Sequence, residues 1–232
     1  MRHAPRPIKF VTVPALLALL ALTVSSGTVW ASTIYTLNGG NAAIVGYPGP
    51  YATATVVLNT STSATITFDA LNNGTNQFLL GDGSSAAVNV NATTWTLGPI
   101  SGTRPAGFTA GAYSDGGSGN VDGWGVFNQT INTFDGYTRS SLQIVFSLTN
   151  TSGTWANDAS VLTANAGGFF AAAHIFVCAS FTCDPAADAL ATGFAAGGAP
   201  GSPQPDVPVP EPTTLLLLGT GLVAAARRFR QS

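Results

Sequence analysis

Apolar and polar side chains alternate along several short segments of this 232-residue chain. Residues 64–69 alternate small or apolar side chains with polar ones, and residues 142–148 carry leucine, isoleucine or phenylalanine at every second position. Residues 86–97 and 124–129 have a similar pattern, and residues 169–178 form a longer apolar run. A period of two places successive side chains on opposite faces of an extended chain, so these segments predict β-strands.

Clusters of glycine, asparagine, serine and aspartate separate these segments, for example at residues 72–74, 81–83 and 115–117. Residues of these types favour turns. No window has the 3.6-residue apolar repeat of a long amphipathic helix. We therefore expect an all-β fold for residues 32–195, namely one antiparallel β-sandwich that is jelly-roll-like in its connections.

The N-terminus has the three parts of a secretory signal peptide. The first ten residues hold three basic side chains and no acidic one, and a largely apolar run follows over residues 10–24. Small and polar residues come next and reach Val29-Trp30-Ala31. We predict a signal peptide over residues 1–31 with cleavage after Ala31; an uncleaved membrane anchor is the alternative.

The C-terminus has a hydrophobic stretch followed by a basic end. Residues 215–226 carry no charge, and Arg227, Arg228 and Arg230 follow. This stretch is shorter than the ~20 residues that cross a bilayer core unaided, but flanking threonines and a snorkelling arginine extend its reach. We expect a hydrophobic sorting helix, anchored transiently in the membrane, with the arginines as its cytoplasmic stop. A buried core helix is the alternative.

A proline-rich segment precedes this stretch. Proline lacks a backbone donor and keeps the preceding residue extended, so the repeated prolines predict a semi-rigid linker over residues 196–208. The motif Val209-Pro210-Glu211-Pro212 follows. A linker of this kind would hold the single carboxylate of the motif just outside the bilayer, where a membrane enzyme can recognise it.

Residues 209–232, with this motif, the leucine-rich stretch and the arginines, resemble the PEP-CTERM sorting domain. The resemblance implies recognition by an exosortase-like membrane peptidase that cuts near the motif. It further implies a Gram-negative host, secretion, transient anchoring in the inner membrane, and delivery to the cell surface or extracellular matrix. An association with exopolysaccharide and biofilm is also implied, whereas the activity of the delivered domain is not.

Residues 32–209 are strongly acidic. They contain two basic residues, Arg104 and Arg139, and nine acidic ones, all aspartate, which gives a net charge of −7. The whole chain has a formal net charge of only −2, because both of its ends are basic. An acidic domain without lysine does not attract phosphate groups, so nucleic acid and anionic lipid are excluded as partners.

Cys178 and Cys183 are the only cysteines of the chain. In an exported protein an even pair of thiols predicts a disulfide. A metal site is the alternative. His174 lies nearby in sequence, but nothing completes a set of four ligands.

The segment over residues 115–123 combines oxygen-bearing side chains with glycines. Asp115, Asn120 and Asp122 lie on it, and calcium prefers hard oxygen ligands of this kind. The spacing is not that of an EF-hand, and a β-turn explains the same residues by their backbone preferences. Calcium at these three residues is therefore an expectation beside the plain turn, and no other cofactor is predicted.

Threonine recurs at every second position in four places, at residues 53/55, 60/62, 65/67 and 94/96. Rows of threonine on a flat sheet can match an ice or polysaccharide surface. Threonine is also a good polar strand former, and the rows do not recur at a fixed repeat. We favour the structural explanation.

His174 is the only histidine after the predicted signal peptide. No nucleophile-elbow, zinc-protease or phosphate-loop motif accompanies it, and a histidine in an apolar strand commonly has a structural role. We therefore expect a non-enzymatic surface or matrix protein. Two alternatives stay open: a hydrolase that uses aspartates with His174, and a lectin-like module whose aromatic side chains, such as Trp95, Trp124 or Trp155, stack on sugars.

Overall fold

The computed structural model describes residues 32–104, 109–134 and 140–198, which form two antiparallel β-sheets. Sheet I contains β1 (Ser32–Leu37), β3 (Ala52–Thr60), β4 (Ser63–Ala70), β7 (Trp95–Leu97), β8 (Ser101–Thr103) and β11 (Gln143–Asn150). Sheet II contains β2 (Gly39–Gly40), β5 (Gln77–Leu80), β6 (Asp82–Val88), β9 (Ser114–Val121), β10 (Gly125–Thr133), β12 (Ala171–Cys178) and β13 (Ala191–Gly197). The antiparallel all-β prediction is confirmed.

The strand order mixes distant parts of the sequence. Sheet I has the order β1-β3-β4-β11-β7, and β8 also pairs with β11. Sheet II has the order β2-β13-β12-β6-β10-β9, and β5 pairs with β12. Because β12 lies beside both β6 and β13, residues some ninety positions apart meet on one surface of sheet II. The jelly-roll connectivity stays a prediction.

The predicted strands are found where alternation is strongest. Residues 64–69 lie within β4, and residues 143–148 of the second predicted segment lie within β11. In both strands buried side chains alternate with more exposed ones, as a half-buried strand requires. The segments 124–129 and 169–178 correspond to β10 and β12.

Residues 86–97 are not one strand, contrary to the prediction. β6 ends at Val88, and β7 begins only at Trp95. In the interval, the amide side chain of Asn128 accepts a hydrogen bond from the Val90 backbone nitrogen at 2.7 Å and donates one to its carbonyl at 2.9 Å. A side chain that satisfies the backbone in this way replaces the ladder partner, so the strand is interrupted.

The inner faces of both sheets contribute to one hydrophobic core. Phe68 of β4 stacks on Phe146 of β11 with ring centroids 6.3 Å apart, and Ile175 of β12 joins the same cluster from sheet II. Burying a side chain of this size contributes about 1.5–3 kcal/mol. The shared core is therefore the main stabilising element of the described residues.

Strand β12 is buried along its whole length and on both faces. Its odd-numbered residues face the shared core, which explains why the sequence lacks alternation here. Its even-numbered residues contribute to two smaller clusters on the outer face of sheet II. One contains Ala87, Val121, Trp124, Phe127, Phe169, Ala172 and Ala196. The other contains Leu79, Phe176, Cys178 and Cys183.

Strand β13 continues to Gly197, beyond the domain end that we predicted at residue 195. A Cβ atom added to Gly197 would lie 2.5 Å from the backbone oxygen of Thr36, so the end of β13 packs tightly against β1. β13 therefore extends two residues past the predicted domain end, into the predicted linker of residues 196–208.

Helical structure in the described ranges is confined to a 3-10 turn, Asp158–Ser160, and a single turn of α-helix, α1 (Pro185–Asp188). Neither is long or apolar enough to cross a bilayer. The predicted signal peptide (residues 1–31) and the predicted hydrophobic sorting helix lie outside the described residues.

Candidate functional site

The outer face of sheet II holds a buried histidine between its two apolar clusters. His174 occupies an even-numbered position of β12, on the face opposite the shared core. Its ring stacks on Phe194 of β13, with centroids 4.4 Å apart and planes inclined by 26°. The ring of Phe176, two residues along the same strand, lies 5.1 Å away. These two rings fix the orientation of the imidazole.

Two polar side chains flank the imidazole. Its Nε2 atom lies 2.6 Å from the Thr192 hydroxyl, and its Nδ1 atom lies 3.7 Å from a carboxylate oxygen of Asp82. The side chain of His174 is 8% exposed, that of Asp82 is 22% exposed, and Thr192 is open to solvent. We call Asp82, His174, Thr192 and Phe194 the His174 cluster.

Burial lowers the pKa of His174 below its ordinary value of 6.5. The charge of Asp82 and the backbone of Gly83 act in the opposite direction without cancelling the effect of burial. Nδ1 is buried, and the Gly83 backbone acts on the pKa through a hydrogen bond with the imidazole. Burial therefore favours the neutral form of the imidazole in this cluster.

The backbone that carries Asp82 is strained. Asp82 and Ser84 have φ values of 59° and 56°, in the left-handed region that costs a non-glycine residue about 1–2 kcal/mol. Neighbouring groups hold this conformation: the Ser84 nitrogen donates to the Asn132 side chain at 2.8 Å, and the Ser85 hydroxyl donates to the Asp82 carbonyl at 2.8 Å. The strained turn places the Asp82 carboxylate beside His174.

The order carboxylate, imidazole, hydroxyl is the one by which histidine activates a hydroxyl nucleophile. Nε2 is close enough to take a proton from Thr192, whereas the Asp82 contact is too long for a hydrogen bond. The same side chains also have the chemistry of a binding site for polar ligands, since a carboxylate and a hydroxyl lie beside aromatic rings.

Sequence reasoning identified His174 but missed its partners. Asp82 belongs to a glycine-rich cluster that predicts a turn, and the structure makes it the first residue of β6. Thr192 lies in β13, for which no strand was predicted. The strand's core-facing residues Ala191 and Ala195 are small, so the apolar alternation that signals a strand is weak here. No local pattern indicates that both partners meet His174, because the strand order alone brings them together.

The predicted calcium ligands do not converge. Asp115 and Asn120 lie in β9, and Asp122 follows the last residue of that strand. A strand rises about 3.3 Å per residue, so Asp115 and Asp122 lie roughly 20 Å apart. The expectation of one flexible loop is corrected, because the segment is a paired strand whose residues cannot ligate one ion together. The described residues contain no group of three potential histidine, cysteine or acidic metal ligands.

The two aspartates of this set have structural partners instead. The Asp115 carboxylate accepts hydrogen bonds at 2.8 Å from the Gln129 side chain and from the Gly117 nitrogen. Asp122 accepts one at 3.2 Å from the side chain of Asn41. The Asp115 contacts stabilise the β9–β10 hairpin, and the Asp122 contact connects its turn to Asn41, which follows β2.

Cys178 and Cys183 form the predicted disulfide, with an S–S distance of 2.06 Å and 5.8 Å between their Cα atoms. Both cysteines are buried in the second outer cluster, and Arg104 donates a hydrogen bond to the Cys183 carbonyl. The bridge closes a short loop after β12, on which the ring of Phe181 is 49% exposed. Among the described residues no cysteine is free.

The three tryptophans expected to stack on sugars are buried or partly buried. Trp124 and Trp155 are 1% and 3% exposed, and their indole nitrogens donate to backbone carbonyls at 3.2 and 2.8 Å. Trp95 packs partly buried against the core, with its indole nitrogen bonded to Gln129. Trp124 and Trp155 are therefore core residues, and the lectin-like interpretation loses them as stacking platforms. Within the described ranges, Phe134 is the most exposed large hydrophobic residue, at 70%.

Two of the threonine pairs lie side by side on the outer face of sheet I. Thr55 of β3 pairs directly with Thr67 of β4, and Thr53 pairs with Asp69. Each of these side chains alternates with a buried one and is partly exposed. This is the position that the polar face of a half-buried strand gives to a threonine.

The sorting motif, Val209, Pro210, Glu211 and Pro212, and the basic stop, Arg227, Arg228 and Arg230, lie outside the described residues. Comparison with known families matches residues 208–231 to the PEP-CTERM protein-sorting motif. No curated protein and no solved structure matches the chain. The chain therefore carries a PEP-CTERM protein-sorting motif, the tail of an exported protein that an exosortase, a membrane protein, recognises.

Proposed function

We propose that this chain is a precursor whose signal peptide and tail are removed during export, and whose mature β-sandwich domain is a non-enzymatic component of the cell surface or extracellular matrix. The exosortase first holds it by the tail in the inner membrane and then releases it into an environment of exopolysaccharide and biofilm. The match of residues 208–231 to the sorting motif is the observation that carries this proposal.

The properties of the described domain suit that location. The Cys178–Cys183 disulfide is stable in the oxidising compartments outside the cytoplasm. The lysine-free, acidic surface keeps the domain away from anionic membrane lipid once the basic tail is lost. A core shared by the two sheets stabilises the domain.

The decisive experiment replaces the motif carboxylate. In the Glu211→Ala variant the full-length protein should stay in the membrane fraction with its C-terminal mass intact, whereas the wild type loses its tail and leaves that fraction. Asp206→Ala is the matched control, because it removes a carboxylate from the linker, outside the motif. Intact-mass spectrometry of both fractions measures the outcome. Normal processing of Glu211→Ala, or equal retention of the control, contradicts the proposal.

A hydrolase is the second candidate, and the His174 cluster is the observation that favours it. A hydroxyl 2.6 Å from a neutral imidazole, with a carboxylate on the other side, has the composition of an activated nucleophile. Fluorogenic ester and glycoside substrates provide the test. Turnover that disappears in both Thr192→Val and His174→Gln, with the fold retained, establishes the hydrolase and overturns the non-enzymatic proposal; absence of turnover in the wild type removes the candidate.

A further inference from the structure

We propose that the His174 cluster, together with the exposed ring of Phe134, is a binding site for one ring of a neutral sugar polymer. The inference deepens the proposed function, on which it rests for the location of the polymer, and it assigns a site and a ligand class to the delivered domain. It relocates sugar recognition from the tryptophans to the outer face of sheet II.

An aromatic surface and a carboxylate lie next to one another at this site. Thr133 at the end of β10 pairs with Asp82, so Phe134 follows directly beside the start of β6. A Cβ atom added to Gly83 would lie 2.8 Å from the Phe134 ring, which shows that the ring lies against the Gly83 backbone. At 70% exposure the ring offers a free apolar face, on which the C–H face of a sugar can stack.

Two polar groups of the cluster are within reach of a ligand. The Asp82 side chain is 22% exposed and Thr192 is open to solvent, whereas Nδ1 of His174 is buried. The strained backbone at Asp82 holds its carboxylate in this place. A ligand hydroxyl therefore meets the Asp82 carboxylate and the Thr192 hydroxyl rather than the imidazole.

The charges of the cluster select the class of ligand. Its only charged group is the Asp82 carboxylate, because burial lowers the pKa of His174 and keeps the imidazole neutral. An anionic ligand is repelled, and a metal ion finds no third histidine, cysteine or acidic ligand within the described residues. Vicinal hydroxyls of a neutral sugar donate to the carboxylate and exchange hydrogen bonds with the exposed Thr192 hydroxyl.

The test measures binding of the full-length protein to named neutral probes. Affinity electrophoresis in gels that contain dextran, a β-1,3-glucan or a β-1,4-glucan gives the dissociation constants, and free glucose as competitor distinguishes one sugar ring from a longer polymer segment. Wild-type protein should be retarded by at least one polymer. Phe134→Ala and Asp82→Asn should each weaken binding by about tenfold or more, since each removes a central contact.

Two control variants match these changes. Val126→Ala removes an exposed apolar side chain of the same strand region, and Asp69→Asn removes a carboxylate from the outer face of sheet I. Both should bind as the wild type does. Asparagine tolerates the left-handed conformation of position 82, so Asp82→Asn is expected to fold. Thr192→Val provides a second variant, and unchanged thermal unfolding confirms that each variant is folded.

Retardation that Phe134→Ala and Asp82→Asn abolish, and the controls retain, supports the site. The inference is overturned if the wild type binds none of these polymers, or if binding persists in both site variants. Neither result touches the sorting proposal, which depends on the processing of Glu211→Ala. Conversely, normal processing of that variant overturns the sorting proposal and leaves the measured binding site in place.

Discussion

The Nδ1 atom of His174 lies 3.7 Å from the Asp82 carboxylate, in a place where the histidine side chain is only 8% exposed. That separation is too long for a hydrogen bond but short enough for a strong electrostatic interaction. The carboxylate therefore opposes the effect of burial on the histidine without satisfying its ring nitrogen. The result is a histidine that the fold holds in its neutral form.

The first prediction is that stability falls in mild acid because of His174. In the unfolded chain its pKa is 6.5, and burial lowers the folded value. Below pH 6.5 the unfolded state therefore binds more protons, so the free energy of unfolding decreases as pH falls. The contribution of the neutral His174 to stability is complete above pH 6.5 and is lost as the pH falls through the pKa of His174 in the folded state. Urea unfolding between about pH 8 and pH 5 measures it.

His174→Gln is the control for this prediction, since glutamine does not titrate. The variant should lose the part of the pH dependence of stability that lies just below pH 6.5. If the free energy of unfolding depends on pH identically in the wild type and the variant, His174 does not cause the loss of stability in mild acid.

Much of the fold follows from local sequence, and the reason is visible in β4 and β11. Their alternation buries every second side chain, so period-two patterns predict them directly. The disulfide was equally predictable, because its two cysteines are close in the chain and have no competitors. The sorting motif is also local, and it needs no fold to be recognised.

The candidate site was predictable only in its histidine. Asp82 and Thr192 reach His174 because β12 lies near the start of β6 and beside β13, which is a property of strand order. The same limitation explains the calcium prediction. Glycines in the segment from Asp115 to Asp122 suggest a loop, but pairing with β10 keeps the segment extended. Long-range pairing overrides local preference in both cases.

The second prediction concerns Tyr35, whose hydroxyl is buried without a hydrogen-bond partner. Burial raises its pKa from 10 to about 12. The folded state therefore resists ionisation, and this contribution to stability is lost as pH rises from 10 through about 12. Tyr35→Phe keeps the stacking on Phe170 and removes the unsatisfied hydroxyl.

We expect Tyr35→Phe to increase the free energy of unfolding by about 1 kcal/mol at neutral pH, and to lose less stability than the wild type in alkali. Urea unfolding at neutral pH and above pH 10 measures both effects. A variant that is clearly less stable than the wild type at neutral pH would mean that the hydroxyl has a partner in solution.

The third prediction concerns the disulfide. Replacing both Cys178 and Cys183 by serine should lower the free energy of unfolding by about 2 kcal/mol, because the bridge restricts the unfolded chain over a short loop. Reduction of the wild type with dithiothreitol should produce a similar loss and should leave the double variant unchanged. If the reduced wild type is as stable as the oxidised protein, the bridge is not a stabilising element.

The fourth prediction tests the end of the domain with a pair of glycines. A Cβ atom at position 197 would lie 2.5 Å from the Thr36 backbone oxygen, and the Gly197 carbonyl is fixed by a hydrogen bond from the Phe170 nitrogen. Gly197→Ala should therefore cost about 1–3 kcal/mol through overpacking. At Gly46 an added Cβ meets nothing within 4 Å, so Gly46→Ala should be neutral or stabilising by up to about 1 kcal/mol.

Thermal and urea unfolding of the two alanine variants and the wild type measure the change in the free energy of unfolding that each substitution causes. Both substitutions reduce the conformational freedom of the unfolded chain to the same extent, so their difference reports contacts of the folded state alone. A large difference means that β13 holds its place against β1 through Gly197, and that the linker to the sorting motif begins after this residue. Equal stability of the two variants would instead place the domain end before Gly197, as the sequence predicted.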